Sequence, residues 1–241
     1  HAAGAGRGPG AGRAVGGRGM STLLLRFAGP MQAWGVDSRF EIRKTNREPT
    51  KSGATGLLAA ALGLRRDAPL GKLTALRFGV RVDREGRLLR DFHMVHQQGG
   101  KQAVFVTERY YLCDAVFLVG FYGEDEAWMR QLEEAVSHPA FPLFLGRRSC
   151  PPEGRVCLGL REMDLEQALR QEPYLAVRDW GWNKTPGQAR LLLEDSMGSA
   201  YLADVPVSYS PEKRQYAYRA AREAWLAWTG EEEHDPMQEL R

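Results

Sequence analysis

The chain has 241 residues, of which 43% are hydrophobic and 26% charged, a composition typical of soluble globular proteins. Its 33 lysines and arginines barely outnumber its 30 acidic residues, so any case for nucleic-acid binding must rest on local patches. The longest weakly polar run, Gly53–Leu64, is far shorter than the roughly 20 residues of a membrane span, and three scattered cysteines exclude a disulfide framework or a Cys-x-x-Cys zinc site.

The first 19 residues are rich in glycine, alanine and arginine and precede the first methionine, Met20. We interpret residues 1–19 as a disordered tag remnant. Without its three arginines, the basic and acidic residues of the remaining chain are equal in number. The residues after Met20 lack the basic start and the cleavage site of a secretory signal, so we expect a cytoplasmic protein.

The first strand is predicted at Thr22–Ala28, an apolar run that Gly29-Pro30 ends. A long basic loop follows, up to Pro49. A helix then begins, with Thr50 or Ser52 as its N-cap, and Gly63 ends it.

Alternation predicts a strand at Leu76–Val82, and a turn signal before Leu88–Val95 predicts a hairpin of these two segments. Strand-prone residues recur at Ala103–Tyr111 and Asp114–Tyr122. An amphipathic helix is predicted at Glu124–Val136, with acidic residues in its first turn.

This order of elements is that of a ferredoxin-like (RRM-like) βαββαβ unit in the α+β class, and it needs one more strand, Phe141–Leu145 or Val156–Leu160. We expect a ferredoxin-like domain over residues 20–160, a smaller, irregular C-terminal subdomain over residues 161–230, and an acidic tail at residues 231–241. The weaker signals of the subdomain are a short helix at Asp164–Gln171, strands at Arg190–Glu194 and Tyr201–Tyr209, and an amphipathic segment at Tyr216–Trp228.

Two segments suit a phosphate. Thr50-Lys51-Ser52-Gly53 places hydroxyls, a cation and flexible backbone at a helix N-terminus, although simple N-capping explains these residues equally well. Gly146-Arg147-Arg148-Ser149 precedes a proline pair and displays two guanidinium groups on a pinned loop, with solvated arginines as the alternative.

Aromatic residues near these segments offer surfaces on which unpaired bases can stack. Trp34 follows Gln32 after the first strand, and Tyr110-Tyr111 follow Arg109. Burial in the core is the alternative for all three rings.

Signals for catalysis are weak. Gly-x-Ser-x-Gly is absent, and His93 and His96 are predicted on opposite faces of one strand, where they cannot share a metal ion. The sequence therefore predicts no metal and no cofactor.

Four segments together resemble the CasD family, the Cas5-type (RAMP superfamily) subunits of type I-E CRISPR Cascade complexes. They are Leu25–Gly35, Pro49–Gly53 with the following Gly56-Leu57-Leu58, Tyr111–Ala115 and Leu145–Pro151. The resemblance implies a non-catalytic RNA-binding protein that holds the 5′ handle of the crRNA, caps the CasC backbone and contacts the large subunit CasA. Contact with target DNA would be indirect, and no membrane is involved.

The resemblance also implies an extended β-hairpin, the thumb, at about residues 91–107, which contains His93, His96 and Lys101. Together, the patterns and the resemblance predict RNA contacts by thirteen residues: Arg26, Gln32, Trp34, Lys51, Ser52, Gly53, His93, Lys101, Arg109, Gly146, Arg147, Arg148 and Ser149. Two alternatives stay open. One is a metal-independent endoribonuclease that processes precursor crRNA with His93 or His96 and Lys101. The other is a spacer that contacts protein but not RNA.

Overall fold

The computed structural model of the protein describes residues 19–35, 42–96, 104–176, 187–210 and 212–228. It is a mixed α+β structure, as predicted, in which strands predominate. The elements are β1 Ser21–Ala28, β2 Met31–Gln32, β3 Ile42–Arg43, α1 Lys51–Ala61, β4 Arg77–Arg84, β5 Arg87–His96, β6 Val104–Cys113, β7 Val116–Gly123, α2 Glu126–Ser137, β8 Cys157–Arg161, α3 Leu165–Gln171, β9 Gln188–Glu194, β10 Ala200–Ser208 and β11 Gln215–Ala227.

The strands form two sheets. The larger sheet has seven strands in the order β10-β11-β9-β4-β7-β1-β8, and every neighbouring pair is antiparallel. In the smaller sheet, β6 pairs with β5 along its whole length and with β2 and β3 on its other side. The hairpin of β5 and β6 contains the predicted thumb, whose residues 97–103 lie outside the described residues. Across the described ranges, no helix has the length and apolar character needed to cross a membrane.

Strand β1 lies in the interior of the larger sheet and is covered on both faces. Leu23, Leu25 and Phe27 pack with residues of α1 and α2, whereas Leu24 packs with residues of α3 on the opposite face. This burial on both faces explains why β1 is a nearly continuous apolar run.

Helix α1 has the ends that its sequence predicts. The Thr50 hydroxyl accepts a hydrogen bond from the Gly53 N–H and caps the first turn. Gly63 adopts a φ of 76°, and the N–H groups of Gly63 and Leu64 bond to the carbonyls of Ala60 and Ala59, the pattern of a Schellman motif. Of the two candidate N-caps, Thr50 is therefore the residue used.

The predicted hairpin of β4 and β5 is wrong. Strand β4 pairs with β7 and β9 in the larger sheet, whereas β5 pairs with β6 in the smaller one. The turn lies where it was expected, with Gly86 at a φ of 73°, but the backbone of Gly86 packs against the end of β6 near Cys113. The turn thus directs the chain into a different sheet.

The closing strand β8 confirms the second of the two candidates, and Phe141–Leu145 is not a strand. The N–H groups of Ala140 and Phe141 instead bond to the carbonyls of Ala61 and Ala60. The first bond gives the Ala61 carbonyl a partner at the end of α1, and the second adds a donor to the Ala60 carbonyl, so this segment is bound to the helix end.

The C-terminal segment, predicted as a smaller, irregular subdomain over residues 161–230, contributes β9, β10 and β11 to the larger sheet, beside β4. The amphipathic segment at its end is strand β11. The acidic tail at residues 231–241 lies outside the described residues, as do residues 1–18 of the predicted tag remnant.

Candidate nucleic-acid interface

The turn at residues 145–150 is held by its own backbone. The Leu145 N–H bonds to the Cys150 carbonyl at 2.7 Å, and the Cys150 N–H bonds to the Arg147 carbonyl at 2.9 Å. Leu145 and Cys150 are buried, whereas Arg148 and Ser149 are exposed. The two ends of the turn are therefore fixed in the core while Arg148 and Ser149 face the solvent, the pinned loop that the sequence predicted.

Gly146 is needed at this turn for two reasons. Its φ is 84°, and a Cβ built there would lie 1.7 Å from the Ala33 carbonyl oxygen.

We expect Gly146→Ala to lower the free energy of unfolding by about 2 kcal/mol, from left-handed strain and overpacking together. Gly71→Ala is the matched control, because Gly71 also has a positive φ, 50°, but no atom lies within 4 Å of its Cβ position. Urea denaturation measures both, and equal losses would contradict the close approach to Ala33.

Arg147 lies over an aromatic ring. Its guanidinium carbon is 4.6 Å from the centroid of the Tyr111 ring, and its Nη2 donates to the Arg43 carbonyl at 2.8 Å. Its Nη1 is buried and has no hydrogen-bond partner. The turn at residues 145–150 is thus joined to both β6 and β3.

Arg109 lies on the same face of the smaller sheet. It is two residues before Tyr111 on β6, and Arg43 is its directly paired neighbour on β3. The Nε of Arg109 is buried without a hydrogen-bond partner. Asp91 lies opposite Arg109 on β5, but its carboxylate contacts His93 at 2.6 Å.

We call Arg43, Arg109, Arg147 and Arg148 the arginine cluster. In the described part of the chain, no carboxylate forms an ion pair with any of the four. Some arginines elsewhere are paired; Arg161, Arg190, Arg219 and Arg222 each contact a carboxylate. Arginines that form no ion pair of their own favour the binding of an anion.

The start of helix α1 already holds an anion. The Lys51 N–H donates to Oδ2 of Asp204 at 2.9 Å, and Asp204 is buried in a two-bond ion pair with Arg219. The helix dipole and free N–H groups, which favour a phosphate, here stabilise an internal carboxylate. This finding corrects the prediction that Lys51, Ser52 and Gly53 bind phosphate.

The side chains at this helix start are used internally as well. Lys51 is only 2% exposed, and its Nζ contacts both carboxylate oxygens of Glu194 at 2.8 and 2.9 Å. The Tyr209 hydroxyl donates to the Ser52 carbonyl, and burial raises the pKa of Tyr209, which keeps this donor protonated.

Gln32 and Trp34 are also internal. Gln32 is 0% exposed and Trp34 is 1% exposed. Trp34 stacks on Phe27, with ring centroids 5.3 Å apart, and its Nε1 donates to Oε1 of Gln32 at 3.1 Å. Burial therefore corrects the prediction of base contacts by these two residues, and the core alternative applies to Trp34.

The remaining predicted residues are scattered. Arg26 is on the face of β1 that packs with α3. Its Nη1 donates a hydrogen bond to the Glu153 carbonyl at 2.7 Å, so it is not part of the arginine cluster. His93 is half-exposed on β5. His96 ends β5, and Lys101 lies outside the described residues.

Sequence reasoning missed two features of the interface: Arg43, and the contact of the Tyr111 ring with Arg147 in place of the predicted stacking of a base. Arg43 belongs to the predicted basic loop, and an arginine two residues before a tyrosine on β6 was the available signal for the shared face. No local signal identifies Asp204 and Glu194 as partners of α1, because they follow it by more than 140 residues.

Comparisons with known proteins agree on one family. The family model of CRISPR-associated protein (Cas_Cas5) matches residues 22–222. The CRISPR system Cascade subunit CasD of Escherichia coli (strain K12) is 42% identical over 169 residues, which are 62% of this chain and 75% of that protein.

Two solved structures are similar over most of the chain. A crystal structure of a Cas protein is 41% identical, with a TM-score of 0.70, over 86% of this chain and 95% of that one. A chain of a CRISPR RNA-guided surveillance complex is 33% identical, with a TM-score of 0.71, over 86% of this chain and 90% of that one.

Proposed function

Because this chain belongs to the Cas5 family of CRISPR-associated proteins, we propose that it is a non-catalytic subunit of a type I-E CRISPR surveillance complex. In this proposal it binds the 5′ handle of the crRNA and caps the CasC backbone next to the large subunit CasA. It thereby supports guide-directed recognition of foreign DNA. A 42% identical relative is named as a Cascade subunit, and a 33% identical one belongs to an RNA-guided complex.

The observation that carries RNA binding is the arginine cluster without paired carboxylates. Guanidinium groups donate two parallel hydrogen bonds to a phosphate, and single-stranded RNA presents one phosphate per nucleotide. The arginine cluster holds exposed guanidinium groups at Arg43 and Arg148 beside the partly buried groups of Arg109 and Arg147. A local patch of this kind suffices even though the chain as a whole is nearly neutral.

The fold supports the same assignment. The strands β4, β7, β1 and β8 lie side by side in that order, α1 connects β1 to β4, and α2 connects β7 to β8. This order supports our proposal that these elements form a ferredoxin-like βαββαβ unit. In the proposal, the RNA site lies beside this unit. The turn with Arg147 and Arg148 falls between α2 and β8, and Arg43 and Arg109 are on the adjoining strands β3 and β6.

The thumb suits a protein partner in addition to RNA. The hairpin of β5 and β6 exposes four apolar side chains to water: Leu88, Phe92, Met94 and Val106. An exposed apolar surface of this kind is typical of a protein-binding site. We assign this surface to the neighbouring CasC subunit. His93 lies on the other face of the hairpin, with Arg109, and remains a candidate for RNA contact.

The test is copurification. The full chain is tagged, coexpressed with the other Cascade subunits and a CRISPR array, and purified; the bound RNA is then sequenced. We expect crRNA with an intact repeat-derived 5′ end. Assembly of the protein subunits with this chain but without retention of that RNA end would favour the spacer alternative.

One observation keeps the endoribonuclease alternative open. Nε2 of His93 lies 2.6 Å from Oδ2 of Asp91, and both side chains are accessible. A carboxylate-oriented imidazole can act as a general base. The family resemblance assigns cleavage to a separate subunit, CasE, and we expect the purified chain to leave repeat RNA intact in EDTA. Cleavage that His93→Ala abolishes would contradict the non-catalytic proposal.

A further inference from the structure

Three segments of the chain converge on Ala33 and Trp34. The Trp34 N–H donates to Oγ1 of Thr45 at 2.8 Å, and the Asn46 N–H donates to the Trp34 carbonyl at 3.1 Å. The Ala33 N–H donates to the Leu145 carbonyl at 3.1 Å. The Trp34 ring also lies within 3.0 Å of the Cβ position of Gly53, at the start of α1.

The indole ring itself is locked. Its parallel stack on Phe27 has an interplanar angle of 11°, and its N–H bonds to Gln32. The Gln32 amide nitrogen donates in turn to the Ala115 carbonyl at 2.8 Å and to the Phe27 carbonyl at 3.3 Å. Both residues are buried, so rotating the ring would break buried hydrogen bonds.

Two of the segments that Ala33 and Trp34 join carry arginines of the cluster, and the Trp34 ring lies 3.6 Å from the Cβ position of Gly146. Arg43 is two residues before Thr45, and Arg147 is two residues after Leu145. We propose that Trp34, oriented by Gln32, is a positioning residue of the RNA site: it fixes the spacing between the Arg43 loop and the Arg147 turn and does not contact RNA itself. The inference rests on the proposed RNA-binding function.

A neutral substitution separates positioning from stability. The variant Trp34→Phe removes the indole N–H and part of the ring but no charge. We expect it to weaken the affinity of the full chain for fluorescein-labelled crRNA about tenfold, the size of effect typical of residues that couple two segments. We also expect the salt dependence of binding to become shallower, because misplaced arginines release fewer counterions. A purely structural role would lower the unfolding free energy without changing that slope.

The matched control is Trp128→Phe in α2. The Trp128 indole N–H is buried without a partner, and Nζ of Lys72 lies 5.8 Å from the centroid of its ring. We expect Trp128→Phe to keep both the affinity and the salt slope of the original chain. All measurements are made well below the unfolding temperature of each variant.

If Trp34→Phe does not fold, two smaller substitutions of Thr45 test the same inference. Thr45→Val removes the hydroxyl that accepts the backbone N–H of Trp34, and we expect it to weaken crRNA binding. Thr45→Ser keeps that hydroxyl, and we expect it to retain crRNA binding. Original affinity and slope in Trp34→Phe or Thr45→Val would overturn the inference, as would a photocrosslink from RNA to Trp34. Failure of the unsubstituted chain to bind crRNA would instead refute the proposed function, and the inference with it.

Discussion

The substitution Lys51→Met is expected to lower the free energy of unfolding by about 3 kcal/mol, because it leaves the largely buried Glu194 carboxylate without its cation. Lys51 is 2% exposed and contacts both oxygens of Glu194. Glu194 also accepts the Phe78 N–H at 3.0 Å, so the carboxylate cannot turn away to water without breaking that bond. Urea denaturation monitored by circular dichroism measures the change.

The double variant Lys51→Met with Glu194→Gln is the control. The amide keeps an acceptor for Phe78 but carries no charge, so we expect it to recover most of the lost stability. In the folded state, Lys51→Met should bind crRNA as the original chain does. Unchanged stability together with weakened RNA binding would restore the phosphate site that the sequence predicted at this helix.

The double substitution Arg147→Ala with Arg148→Ala is expected to weaken binding of crRNA by at least about 10- to 100-fold, since the loss of a single charge-assisted hydrogen bond, worth about 1.5–3 kcal/mol, already has an effect of this size. The slope of log affinity against log salt should become shallower by about 0.7 for each phosphate that the variant no longer neutralises. Fluorescence anisotropy at several salt concentrations measures both quantities.

The chain supplies a matched control for this loss of charge. Arg65 and Arg66 form a second exposed arginine pair, just beyond the C-terminal end of α1, whereas Trp34 packs at its start. We expect Arg65→Ala with Arg66→Ala to leave crRNA affinity nearly unchanged. Equal losses for the two pairs would indicate binding by diffuse charge, and no loss for either would favour the spacer that contacts only protein.

Local patterns predicted helices and strands well where the residues that determine the element all lie in one short segment. The apolar run of β1, the cap and glycine of α1, and the Asp164 cap of α3 are such segments. The β4 to β5 turn was also recognised. The pairing partners of its two strands could not be read from it, because pairing depends on residues distant in the chain.

The interface was predicted in part. The turn with Arg147 and Arg148 stands as expected, because a glycine at positive φ and a proline pair define it locally. The start of α1 has the features of a phosphate site, and only the folded chain reveals that Asp204 occupies it. Likewise, an aromatic residue after a strand fits a stacking platform or a core position, and the packing on Phe27 makes Trp34 a core position.

Crosslinking of the guide in the assembled complex tests the central claim most directly. 4-Thiouridine is placed in the repeat-derived 5′ segment of crRNA, the complex containing the full chain is irradiated, and crosslinked peptides are mapped by mass spectrometry. We expect crosslinks within residues 42–48 and 145–149, which contain Arg43, Arg147 and Arg148 of the arginine cluster. Crosslinks confined to the α3 face of the larger sheet, with none in those two segments, would contradict the account.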